Sequence, residues 1–445
     1  MRLMVHSVGT LAALVWMFAS GTEAQQLPSG VWELRNPSVR PSPRVGHVMA
    51  YEGHLGSVLL QGGNNPWTNE TWRWDGETWW DLSSVPVRPP ARSATAMVYD
   101  SIRERVVLFG GDSTGNDTWE WDGSSWHELN PVQRPEWRYS HAMAFDRRRA
   151  RVVLFGGWAL YPDTWLWDGT NWSRATMTGP SPRGKHRMAY DELREVVVLF
   201  GGTDSTRGFN DMWEWNGTVW TEVLPLNQPP APRALHVMTY HAARQRILVY
   251  GGIDGPLHLT DETWEFDTSS RLWWRIPLTT NPGLIYLEDV VYDARRSRAV
   301  LFGGNNPFVG RRDQTWTYQD LNLAAVPAQP RPGEAVSLTL DVPANPGLSY
   351  LLAASFRRVP GIPLPDARWI SLQMDRLFEI SLGSNAPPFS AFAGTLDPGG
   401  RAQASVTLPS EPGLVGLSFV VGGITFDAER VRTVLTEAGI VVRGL

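Results

Sequence analysis

Residues 106–126 read VVLFGGDSTGNDTWEWDGSSW. Val106-Val107-Leu108-Phe109 is a continuous apolar run that suits a strand covered on both faces. Gly110-Gly111 follows, where the absence of side chains lets backbones converge. Thr118-Trp119-Glu120-Trp121 is a further strand, and Asp122-Gly123 after it supplies the positive φ of a tight hairpin turn. Trp126 opens one more strand. The strand that precedes the apolar run alternates large and small residues, most clearly in the next copy, His141-Ala142-Met143-Ala144-Phe145.

The unit recurs. Gly-Gly pairs stand at Gly62, Gly110, Gly156, Gly201, Gly251 and Gly303, and an aromatic stands eleven residues before each: Tyr51, Tyr99, Phe145, Tyr190, Tyr240 and Tyr292. A repeat of this length marks an array of supersecondary units. Four strands per copy in six copies predict a six-bladed β-propeller, each sheet buried on both faces by its neighbours. That demand accounts for most of the 23 Trp, which fall at repeat positions. The sixth copy has its third strand at Thr315-Trp316-Thr317-Tyr318 but no fourth. Trp32-Glu33-Leu34-Arg35-Asn36-Pro37 looks like Trp126-His127-Glu128-Leu129-Asn130-Pro131, so the N-terminal segment is expected to complete the last blade and remove its open edge.

The rest of the chain divides around this array. Residues 1–24 read as a signal peptide, with Arg2, an apolar core from Val8 to Ala19 and small residues near Ala24. Residues 25–321 hold the propeller and 322–333 a Pro-rich linker. Residues 334–445 carry short period-2 runs separated by turn clusters, which predict a small antiparallel β-sandwich, with Asp427 to Ala438 either a short helix or an irregular strand. The leader implies a secreted, periplasmic or cell-envelope protein with no membrane span once it is removed. A net charge of -5, spread along the chain, implies neither nucleic acid nor an anionic membrane as partner. The absence of cysteine removes disulfides and thiolate chemistry. No cofactor or metal is expected, and the protein is read as a monomer.

The Gly-Gly pair, the Trp that follows and the four-strand unit resemble the kelch repeat family, over residues 31–319. That resemblance implies the propeller fold and, for function, a binding platform, an adhesion module or in some members an enzyme. Kelch propellers with a copper radical centre need a Cys-linked Tyr, which this chain lacks. Others are six-bladed epimerases acting on sialic acid. For that chemistry Glu288, Arg233 and His236 are the candidate group: an Arg for a carboxylate and a Glu or His for proton transfer.

Three constellations stand out. Arg-x-x-His precedes the first strand at Arg44/His47, Arg138/His141, Arg183/His186 and Arg233/His236; the second copy has Arg92 with Thr95, and the sixth has Ile285 and Glu288. An element present in nearly every blade reads as scaffold, with the His packed in the core and the Arg tying blade to blade. Arg-rich turns between first and second strands, such as Arg147-Arg148-Arg149 and Arg295-Arg296, read as surface partners of the Asp-Gly turns. The loops of the opposite face vary, and variation is where function enters a repeat scaffold. They carry Trp67, Trp137, Tyr139, Trp158, Tyr161, Phe209, His258 and Phe308, aromatics suited to stacking on sugar rings or anchoring a protein. The leading expectation is a non-catalytic secreted binding or adhesion protein whose loop face takes a glycan or protein ligand. The alternatives are the epimerase-type enzyme and a structural envelope component.

Overall fold

The structure, a computed structural model, describes residues 30–320 except 65–66, 113–114, 243, 255–257, 277 and 279, and beyond them strand segments between 322 and 441. The expected signal peptide and most of the expected linker lie outside the described residues.

Six four-stranded antiparallel sheets surround a common axis, one for each Gly-Gly copy. In blade 3 the order from the axis outward is Ala142–Asp146, Arg151–Phe155, Thr164–Trp167 and Trp172–Thr176. In blade 6 it is Asp289–Asp293, Arg298–Phe302, Thr315–Asp320 and finally Gly30–Arg35, so the segment around Trp32 latches the ring. No helix occurs among the described residues.

Each core cluster straddles two blades. Ala189, Val198 and Phe200 of blade 4 pack with Met238, Ile247, Val249 and Trp273 of blade 5, and Trp74 and Trp79 of blade 1 with Val300 and Phe302 of blade 6. Indole nitrogens pin the outer strands to the preceding blade. Trp126 donates to Thr71 Oγ1 at 3.0 Å, Trp172 to Thr118, Trp220 to Thr164, Trp79 to Thr315 and Trp32 to Thr263. Blade 4 carries Met212 where the others carry Thr, and the buried Trp273 Nε1 has no acceptor among the described residues.

The glycine pairs do what the sequence requires of them. Gly110 has φ +64°, and a Cβ there would stand 2.7 Å from the Arg138 carbonyl oxygen of the next blade. The N–H of the second glycine donates across the same seam, Gly111 to Arg138 O at 3.1 Å and Gly157 to Arg183 O at 2.9 Å.

Val31–Gln319 forms one compact unit, and the strands after it belong to a second. In the second unit Asn322–Val326, Ala335–Asp341, Arg401–Thr407 and Phe389–Ser390 form one antiparallel sheet, and Ala393–Thr395, Ser349–Ser355, Ser418–Phe426 and Val431–Val441 another. The first half of the expected linker is therefore a strand: its prolines begin only at Pro327, and Leu323 to Val326 is free to pair. Of the segment Asp427 to Ala438, residues 427–430 lie outside the described residues, and the rest belongs to the strand Val431–Val441, whose pairing has register shifts opposite Val421/Gly423 and Thr425/Phe426.

Candidate functional site

The repeated Arg-x-x-His element belongs to the core. Arg44, Arg92, Arg138, Arg183 and Arg233 are completely buried. Each guanidinium donates to the carbonyl of the first glycine of its own blade, at 2.9–3.3 Å, and pairs with an acid two residues before the third-strand Trp. The acids are Glu70, Asp117, Asp163, Asp211 and Glu262. The following indole donates to the same carboxylate, as Trp165 does to Asp163 at 2.6 Å. Burial pushes the Asp163 carboxyl up, but the bonds from Arg138 and Trp165 outweigh it and hold it below the usual range. The expectation that the Arg side chain ties blade to blade is corrected. The side chain stays within its blade, and its backbone carbonyl makes the tie.

The imidazoles do cross the seam. His47, His141, His186 and His236 pack edge-on against Phe302, Phe109, Phe155 and Phe200, with ring centroids 5.4–5.6 Å apart. Burial drives His47 and His141 down to about 3 and His186 and His236 well below the usual range, so all four are neutral. The carbonyl of the same Phe partly opposes the effect at His47, His141 and His186 without making a full hydrogen bond.

The Arg-rich turns have different partners from those expected. Arg103, Arg149 and Arg296 pair with Asp100, Asp146 and Asp293, the last residues of their own inner strands. Arg103 and Arg296 then reach the Asp168 and Asp75 carbonyls in the hairpin turn of the next blade. The turn Asp side chains fold onto their own backbone instead, as Asp168 does onto Thr170 and Asn171.

No hydrogen bond or ion pair joins Glu288, Arg233 and His236 to one another among the described residues. Arg233 is closed by Glu262 at 3.1 Å, and His236 lies in the core against Phe200. Glu288 is 1% exposed, occupies the imidazole position of blade 6 beside Gly251 and Gly304, and neither carboxyl oxygen has a partner among the described residues. Burial pushes it up to about 8. Charged residues also line the channel, among them Asp289 and Arg187, which the repeat pattern did not single out. Arg187 opens the blade 4 inner strand, donates to the carbonyls of His236 and Glu288, and lies 3.9 Å from Asp289. Below it the channel holds a cavity of about 290 Å³ lined largely by Met, Ala and Tyr, including Met49, Met97, Met143, Met188 and Met238. No group of His, Cys, Asp or Glu able to hold a metal occurs among the described residues.

On the loop face, aromatic rings line up. Trp137 and Tyr139, from the segment joining blades 2 and 3, lie 5.6 Å apart, and Tyr139 lies 6.3 Å from Trp158 on blade 3. The Lys185 ammonium, from the segment joining blades 3 and 4, sits 4.5 Å over Trp158. The result is a row of three rings and a cation across three blades. Trp137 is 43% exposed, and its Nε1 donates to Gly111 O at 2.8 Å, which fixes the ring while leaving it open. Tyr161 stands beside the row with the Arg138 guanidinium 4.4 Å from its centroid. Phe209 departs from expectation: it is buried, with Arg183 4.0 Å and Arg207 5.0 Å from its centroid, and shields the Arg183 pair rather than facing a ligand. Trp67, on blade 1, is 48% exposed. His258 pairs with Asp254 on blade 5. Phe308 is exposed at the tip of a small blade 6 hairpin, in which Asn305–Asn306 pairs with Gly310–Arg311.

Two residues after each of the completely buried Arg, and after Ile285 in blade 6, lies a further pattern. Gly46, Ala94, Ser140, Lys185, Leu235 and Leu287 all have left-handed φ, between +53° and +64°. Their N–H groups donate round the mouth of the channel: Gly46 to Leu287 O, Ala94 to Gly46 O, Ser140 to Ala94 O, Lys185 to Ser140 O and Leu235 to Lys185 O, at 2.7–3.1 Å.

A six-bladed ring built on one repeated Arg–acid–Trp core element, with variable loops on one face, defines a repeat-built propeller. The chain belongs to the kelch-repeat family: the family described as the KLHDC2/KLHL20/DRC7 Kelch-repeats domain matches residues 68–216 and 167–323. Among solved structures, one titled "Structure of YjhT" is similar at 11% identity and a TM-score of 0.48, covering 68% of this chain and 97% of its own. No curated protein matches. No helix among the described residues is long and apolar enough to cross a membrane.

Proposed function

We propose that this is a secreted, non-catalytic binding protein whose loop face over blades 2 to 4 takes a glycan. The Trp137–Tyr139–Trp158 row carries the reading: three rings held by the scaffold, one fixed through its indole N–H, offer aromatic faces and edges at little ordering cost. Secretion rests on the leader-like residues 1–24. The buried state of Glu288, Arg233 and His236 argues against the epimerase-type alternative.

A glycan array probed with the mature protein tests this reading, with Trp137→Ala and Trp158→Ala alongside. Binding that falls at least tenfold in both variants, with thermal stability unchanged, is the expected result. No signal, or a signal indifferent to both changes, ends it.

A further inference from the structure

We propose that the row binds a uronic-acid oligosaccharide, with the Lys185 ammonium pairing a ligand carboxylate. This rests on the glycan reading above and narrows it.

Lys185 is the only lysine in a chain with 40 basic residues. The neighbouring loop-face cations are already neutralised, Arg138 by Asp163 and Arg183 by Asp211. The Lys185 ammonium meets the face of Trp158, and no carboxylate pairs with it among the described residues. Burial alone lowers its pKa, with no acid nearby to oppose the shift.

The scaffold does not ask for a lysine there. The mouth ring uses only backbone N–H and C=O groups, and Gly46, Ala94, Ser140, Leu235 and Leu287 fill the same position in the other blades. Lys185 alone of the six carries a charge there, so its ammonium answers no demand that the ring itself makes. Its place at the end of the ring row supplies a role: the rings meet the C–H faces of successive sugars, and the ammonium takes the negative charge that a neutral sugar lacks. Tyr139, between Trp137 and Trp158 in the row, carries a hydroxyl that can donate to the same ligand.

Calorimetric titration with galacturonate, guluronate and glucuronate tetramers, each beside its carboxyl-reduced form, decides the matter. At least one acidic tetramer is expected to bind about tenfold more tightly than its reduced form. Lys185→Gln should abolish that preference, Lys185→Arg should keep most of it, and Trp158→Ala should weaken both forms. Because one lysine is present, acylation by an N-hydroxysuccinimide ester read by peptide mass spectrometry reports Lys185 directly, and the acidic tetramer should slow it. Equal binding of each acidic and reduced pair, or a preference that survives Lys185→Gln, overturns the inference. If no tetramer binds while other sugars still bind through Trp137, this inference falls and the glycan reading stands. If no sugar depends on Trp137 or Trp158, both fall.

Discussion

Blade 3 and blade 6 solve the same packing problem with opposite chemistry. In blade 3 a buried Arg138 meets Asp163, the Trp165 indole donates to the same acid, and a neutral His141 crosses to Phe109. In blade 6 the Arg position is Ile285, the acid position is Gln314, the imidazole position is Glu288, and the ring at the matching position of the preceding blade belongs to Tyr250 rather than Phe. Trp316 still donates, now to Gln314 Oε1 at 3.3 Å. The element changes as a set: a cation without its anion in this site would be a buried unpaired charge, and losing both together avoids that cost.

Breaking one member in each blade gives the widest separation. Asp163→Ala strands Arg138 and should cost about 3–5 kcal/mol, whereas Gln314→Ala should cost about 1 kcal/mol. Urea unfolding of the two variants reads the gap, and similar losses would refute the idea that the two blades differ in how they hold charge.

The titrating groups separate next. Glu288 has a folded pKa of about 8 against an ordinary 4.5, so the folded state holds its proton more tightly and stability is lost as pH rises through that window. Glu288→Gln should match the wild type below pH ~4 and gain on the order of 3–5 kcal/mol on it by pH ~8. The blade 3 imidazole acts in the reverse sense. His141 is neutral when folded and takes a proton near 6.5 when unfolded, so its contribution is lost as pH falls below that value. Melting curves from pH ~4 to ~9 show both; a wild-type-like profile for Glu288→Gln would mean that the carboxyl finds a partner or water.

A smaller contrast separates two tryptophans. Trp126→Phe and Trp273→Phe remove the same volume, but only Trp126 loses a hydrogen bond, to Thr71. Trp126→Phe should be about 1 kcal/mol worse. Smallest of all, Lys185→Ala should shift stability by less than about 0.5 kcal/mol, because the mouth ring engages only its backbone. A large loss there would make Lys185 a structural residue.

The propeller was legible because its demands repeat. Gly110 and its five counterparts, the Thr-Trp-x-Trp strands and the Trp32 segment each answer a constraint that every blade imposes. The acid partners were harder to see: Asp and Glu alternate at that position, and the Gly-Gly loop between Arg and acid varies in length, although the acid always stands two residues before a Trp. The row was only partly visible. Trp137, Tyr139 and Trp158 could be assigned to one face, but their order, the burial of Phe209 beneath Arg207 and the arrival of Lys185 come from neighbouring blades meeting in space. Glu288 was visible as an exception to the pattern; its enclosure by the glycines of two blades was not.

The latch strand has a consequence for biosynthesis. Gly30–Arg35 is made before any blade, yet its partner, Thr315–Asp320, is made after five blades are complete. Until then the sixth sheet cannot form whole, and closing so long a loop is slow relative to local hairpin pairing. A chain halted short of residue 315 leaves Trp32 without its strand partner, so the ring itself checks that synthesis has run through its last blade before the molecule becomes circular.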